Sequence, residues 1–319
     1  MADEKLGMLK RILRKREFAV FLALLILCVF LAIRSPVFLT VLNTMNVLRQ
    51  ISAVGILVVG QTIVLIAGGL DLSVGSGIAL TGAIMASLTL LGVPPVLVLL
   101  LTLIAGMLLY SINGFLVTRV RINPFIATLG MLSVYRGVTL LLSGGIPIRM
   151  VHESLEIIGK GFLFGIVPIP AVIMIIVAII GHIFLKYTTY GRNFFAVGNS
   201  EIAARYSGIR TKNVVLMAYV TMGLLVAVSG MVSTATLSAA EPLAGQGREL
   251  DVIAAAVIGG VSLKGGEGSI LGAILGAALM GVLRNGFILL SVPGYWQIVS
   301  VGVVIIFAVA LDSLRTSGD

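Results

Sequence analysis

The chain has 319 residues, 59% of them hydrophobic and 11% charged, with a formal net charge of +9 and a mean hydropathy of +1.15. A soluble domain that wraps its core in polar surface does not have this profile, so the sequence reads as an integral membrane protein with no sizeable soluble domain. The positive charge does not make a nucleic-acid site, because Lys5, Lys10, Arg11, Arg14, Lys15 and Arg16 crowd the stretch before the first apolar run and no basic patch is interleaved with exposed aromatics.

Residues 1–17 form a basic cytoplasmic segment. Hydropathy and helix breakers then predict helices over 18–34, 46–67, 74–91, 95–118, 124–142, 166–186, 213–237, 251–262, 268–290 and 295–312. The fold class is therefore all-α, a polytopic membrane bundle of about ten helices in one domain, 18–312, with a short cytoplasmic tail, 313–319. The first run is a retained helix rather than a signal peptide, since Arg34-Ser35-Pro36 follows it with no small-residue cleavage site. It holds the single cysteine, Cys28, which excludes an internal disulfide. Around 68–76 and 251–267 the chain is too short or too polar to span, which predicts broken elements buried in protein. Gly268, Gly272 and Gly276 in "GSILGAILGAALMG" share a helix face and predict close helix packing. "NGF" occurs at Asn113–Phe115 and again at Asn285–Phe287, a faint echo of duplicated halves.

With the N-terminus inside, Arg119 and Arg121 fall in a cytoplasmic turn, and Lys186, Arg192, Arg205, Arg210 and Lys212 in the longest cytoplasmic loop. Arg315 and the C-terminus are inside as well, while the outside loops 143–165 and 238–250 mix signs. This bias sets the expected orientation.

No GxxxxGK[ST], HExxH or GxSxG occurs, so neither an ATP site, a metal site nor a catalytic centre is expected on this chain. His152 and His182 are solitary and read as structural or solvated. Charges within the membrane are the sharper signal, because each costs about 3 kcal/mol unless paired or facing water. Arg136 is expected to pair with a carboxylate across the bundle, either to fix helix register or within a pathway, while Glu249 and Asp251 open the eighth helix. In "GGLDLSVGSG", Asp71 with Ser73 is expected to cap the helix starting at Val74, with ion binding as the alternative, and Gly68, Gly69, Gly75 and Gly77 allow close approach or hinging. In the loop before residue 213, Glu201–Arg205 predicts a short helix ended by Gly208, which on these residues alone is a solvated connector.

Five blocks in order carry a resemblance: "GGLDLSVGS", "INPFIATLGMLSVYRG", "GRNFFAVGNSEIAARYSGI", "ELDVIAAAVIGGVSLKGGEGSILGAILGA" and the last helix after "VPGYW". From about residue 18 to 312 the sequence resembles the permease subunits of ribose-type, binding-protein-dependent ABC sugar importers. The resemblance implies a dimer with a second copy or a paralogue, a cytoplasmic cassette ATPase that holds ATP and Mg²⁺, and a periplasmic or extracellular sugar-binding protein. The chain itself would carry no cofactor, and its place would be the cytoplasmic (inner) membrane of a prokaryote. It also implies that Gly198, Glu201, Ala203, Ala204, Arg205 and Gly208 belong to a coupling helix docked on the ATPase, and that residues 143–165 and 238–250 face the binding protein.

Transport by alternating access needs no covalent chemistry and only a polar lining. Gln61, Ser73, Ser76, Asn113, Thr128 and Asn285 are the lining candidates, each of which could equally be a helix–helix hydrogen bond; Asp71, Arg136 and Asp251 complete the pathway or gating set. An ion-coupled secondary transporter with Asp71 or Asp251 as coupling acid is the competing reading. Within the importer class ribose is the default, with other carbohydrates or a furanosyl signalling molecule as alternatives.

Overall fold

Helix starts follow local chemistry. Thr40 Oγ1 accepts the Asn43 amide at 3.4 Å, so the second helix begins at Val41, ahead of the expected 46. Prolines at the first turn fix the starts at Pro95 and Pro124, and Ser269 caps the helix from Ile270. The computed structural model describes residues 16–150 and 152–316; Lys5, Lys10, Arg11, Arg14 and Lys15 lie outside these residues. The helices are α1 (Arg16–Arg34), α2 (Val41–Ile66), α3 (Val74–Leu90), α4 (Pro95–Phe115, continued by a π-helical turn Leu116–Val120), α5 (Pro124–Ser143), α6 (Glu153–Lys160), α7 (Ile169–Tyr187), α8 (Thr189–Asn199), α9 (Glu201–Tyr206), α10 (Thr211–Leu237), α11 (Arg248–Ile258), α12 (Ile270–Leu289) and α13 (Gly294–Thr316).

This is an all-α membrane bundle. Among the described residues seven helices are long and apolar enough to cross a bilayer, α3 is a shorter apolar helix, and α11, at 11 residues, is a half-length element as expected for the 251–267 region. The loop 143–165 holds the amphipathic α6, and the loop after α7 holds two helices, α8 and α9, where one short helix was expected.

α2 and α10 form the centre: 78% and 61% of their most apolar windows are buried, against 11% for α1 and 22% for α4 and α5. α10 packs on α2, α3 and α4, while α2 also meets α7, α11 and α12. The apolar rows left uncovered, such as Phe21, Leu25 and Val29 on α1 or Ile176, Ile179 and Ile183 on α7, suit lipid. Gly272 and Gly276 bring α12 against the carbonyls of Gly259, just past α11, and of Ala255 within it, as the small-residue spacing predicts; Gly268 lies before the helix, against Val261 and Ile66.

Two ends of the bundle are tied differently. At one, Ile148–Arg149 (β1) pairs antiparallel with Ala239–Ala240 (β4), Phe162–Leu163 (β2) pairs with Val167–Pro168 (β3), and Ser238, at the end of α10, bonds Glu156 and Lys160 of α6. At the other, Gly266 N donates to Ile66 O at 3.0 Å and Ser269 Oγ donates to Glu17 at 2.9 Å.

Candidate translocation and coupling sites

Between α2 and α3 the chain leaves helical geometry, and its polar groups need partners inside the bundle. Leu70 O accepts the Tyr219 hydroxyl at 3.0 Å and the Thr128 hydroxyl at 3.3 Å. Asp71 Oδ1 accepts Ser73 N at 2.6 Å and Ser73 Oγ at 2.7 Å, and Asp71 Oδ2 accepts Asn113 Nδ2 at 3.4 Å. Asn113 Nδ2 also donates to Ser73 Oγ at 2.9 Å, the Tyr135 hydroxyl lies 2.8 Å from Asn113 Oδ1, and the Tyr110 hydroxyl lies 3.3 Å from Ser73 Oγ. All five side chains are buried. The helix at Val74 is nevertheless not capped as expected: Ser73 holds the N-cap position without a side-chain cap bond. Asp71 reaches only the amide two residues on, which closes the bend in front of the helix rather than its first turn. Ser76 Oγ adds a bond to Ser73 O at 3.0 Å.

The second break follows α10. After β4 the chain turns back into the bundle, where Gly245 lies against Gly75; a Cβ on either glycine would run into the backbone of the other. Arg136 holds this segment, but not through a carboxylate. Its Nη1 donates to Pro242 O at 2.6 Å and Ala244 O at 3.1 Å, and no ion pair to it forms among the described residues. The expected cross-bundle pair is corrected accordingly: a loop without helical bonds leaves bare carbonyls, and a guanidinium, with five donors, covers two at once. Arg136→Met should leave both carbonyls short of a donor and cost about 1–3 kcal/mol, read as a lower Tm of the purified protein in detergent.

At the opposite end α8 and α9 form a bracket. Thr188 caps α8 and Ser200 caps α9. Glu201 accepts Arg205 at 2.6 Å and Thr211 at 3.1 Å; the bond from Arg205 holds its carboxyl below the usual carboxylate range. Ala204 packs inward, whereas Ala203, Ile202 and Tyr206 are exposed, the last two at 72% and 90%. These exposed apolar side chains one turn apart are absent from the residues picked out by sequence, and their four-residue spacing on a loop helix was the available signal. Gly198, at the end of α8, touches Ile66 O and Gly266 N so closely that no Cβ fits. Gly208 ends the α9 turn with φ +82°.

The remaining candidates lie elsewhere. Asn285 exchanges both amide bonds with Asn43, at 2.8 and 3.1 Å, so it joins α12 to α2. Thr128 bonds Pro124 O as well as Leu70 O. Gln61 is fully buried in α2 with neither amide atom bonded, and Asp251 accepts Arg284 at 2.5 Å. Thus Asp71, Ser73, Asn113 and Thr128 converge on the first break, while Asn285 is part of a helix clamp.

The profile of the family described as "Branched-chain amino acid transport system / permease component" matches residues 43–309. The chain belongs to this permease family. The permease is 42% identical over 299 residues to the ribose import permease protein RbsC of Bacillus subtilis (strain 168), covering 93% of this chain and 92% of the relative. It is 37% identical over 295 residues to the D-allose transport system permease protein AlsC of Escherichia coli (strain K12), covering 92% and 90%. With the autoinducer 2 import system permease protein LsrC of Photorhabdus luminescens it shares 34% over 305 residues, covering 96% and 92%. No solved structure matches. The permease is therefore a multi-pass membrane transport component rather than an enzyme, and membership of the family implies an ATPase and a substrate-binding protein as partners.

Proposed function

We propose that the permease imports a monosaccharide, ribose by default, by alternating access, paired with a second copy or a paralogue. The names of its relatives support a sugar or a small furanosyl signal as cargo. The α8–α9 end lies in the cytoplasm with both termini, and the α6 and β1–β4 end faces the binding protein; the arginines and lysines around α9 support that orientation. ATP and Mg²⁺ belong to the partner ATPase.

One observation carries the mechanism: the α8 backbone at Gly198 is in direct contact with the last carbonyl of α2, five residues before Asp71. A displacement of α9 by the ATPase reaches the first break through backbone atoms, which deform less than side chains. The polar cluster around Asp71 would then move as a unit while its bonds stay made, and the Gly75–Gly245 contact would carry the motion to the second break.

The test is uptake of radiolabelled ribose into proteoliposomes holding the permease, its ATPase and its binding protein. Uptake should require all three. Glu201→Arg sets a cation beside Arg205 and Lys212 and should lower uptake about tenfold, equivalent to ~1.4 kcal/mol of docking free energy. Uptake by the permease alone under a proton gradient would refute the proposal.

A further inference from the structure

A cavity of about 140 Å³ lies between α2, α11 and α12, apart from the Asp71 cluster. Its lining combines the apolar Ile51, Val54 and Met280 with the polar Gln50, Arg248, Asp251 and Arg284. Asp251 is 2% exposed, its Oδ2 is held by Arg284, and its Oδ1 has no hydrogen-bond partner. Burying one bare carboxylate oxygen is costly unless something else donates to it. Arg248 makes no hydrogen bond or ion pair among the described residues through its guanidinium.

The depth of this cavity decides what it faces. Arg284 is five residues before Leu289, about 8 Å from that end of α12. Gln50 is nine residues past Val41, about 14 Å along α2 from the end that the Asn43–Asn285 pair sets beside the end of α12. The lining thus reaches from about 8 to about 14 Å below this end of the bundle. The Arg284 side chain is nevertheless 42% exposed on the single chain. An arginine at that depth extends its guanidinium toward water, so the mouth lies at the aqueous end of the cavity.

Resting on the importer reading, we propose that this cavity is a contact point for the sugar on its way through the membrane. A sugar ring has an apolar C–H face and an edge of hydroxyls, each of which donates and accepts. Ile51, Val54 and Met280 take the face, Asp251 Oδ1 accepts a hydrogen bond from one hydroxyl, and Arg248 and Arg284 donate to neighbouring oxygens. The Arg284–Asp251 pair orients the free carboxylate oxygen before sugar arrives. Contacts of this number hold a sugar weakly, as release to the other side requires.

The experiment uses Gln50→Cys in a Cys28→Ala background, within the complete complex in proteoliposomes. Labelling by a membrane-impermeant methanethiosulfonate reagent is timed with and without D-ribose, D-allose or D-xylose, alongside uptake. We expect labelling from the aqueous phase, a rate at least halved by one of these sugars, and loss of that protection when Asp251→Asn or Arg248→Gln is added. No reaction with the reagent, as for a face sealed by lipid or a partner subunit, overturns the proposal. Labelling slowed by none of the three sugars, or protection that survives both substitutions, overturns it equally. Uptake in the same vesicles scores the importer reading separately, so loss of either leaves the other readable.

Discussion

Gly198→Ala is expected to uncouple the permease. The added Cβ meets Ile66 O and Gly266 N, which are bonded to each other at 3.0 Å, so no flexible side-chain tip can yield. Either the bond breaks or α8 shifts, and overpacking of this kind costs about 1–3 kcal/mol. The proteoliposome assay should show uptake at or near background while ATP hydrolysis by the complex persists. Gly130→Ala is the control: it lies on α5 with nothing within 4 Å of an added Cβ, and should leave uptake intact with stability unchanged or higher by about 0.5–1 kcal/mol. Equal uptake by the two variants would show that the contact at Gly198 transmits nothing.

Asp71→Leu should be the most destabilising single change in the first break, and Asp71→Asn much milder. Leucine removes the acceptor from Ser73 N, Ser73 Oγ and Asn113 Nδ2 in a place that water does not reach. Each buried donor left unpaired costs about 1–3 kcal/mol, so a loss of several kcal/mol is expected, together with loss of assembled protein. Asparagine keeps an oxygen for both Ser73 bonds and gives up only the longest contact, where its own amide would face that of Asn113. Fluorescence-detected gel filtration against temperature reads the difference directly, and uptake should follow it. If Asp71→Asn assembled with unchanged stability yet transported nothing, the negative charge itself would be required and the architectural account would fail.

Much of the fold is legible in the sequence because membrane helices announce themselves locally. Pro95, Pro124 and the apolar run ending at Arg34 mark boundaries that the structure keeps. The start of α2 at Val41 carries a local signal in Thr40, while the place of Asn43 inside the helix is explained only by its partner Asn285, 242 positions away. The same distance problem concealed the acceptors of Arg136. A cation in an apolar helix demands a partner, and an acidic side chain is the obvious expectation, but nothing local shows that a later loop will dip beside it and offer carbonyls. Arg284 and Arg248 escape notice for a related reason: each sits near an expected helix end, where arginine is ordinary, and only packing brings them beside Asp251. The short blocks around Asp71 and Glu201 stand out in the sequence as unusual, while their contact through Ile66 and Gly198 is purely three-dimensional.

The pairing of β1 with β4 and the bonds among Ser238, Glu156 and Lys160 bear on speed as well as shape. They join the turn after α5, the amphipathic α6 and the end of α10 into one cross-braced plate. In the proposed orientation, a soluble binding protein arriving at such a plate would find its contact surface already ordered, so little conformational entropy would be lost on landing. Association can then be fast and brief, governed by diffusion and charge, and a carrier that has discharged its cargo can leave without waiting for loops to unfold.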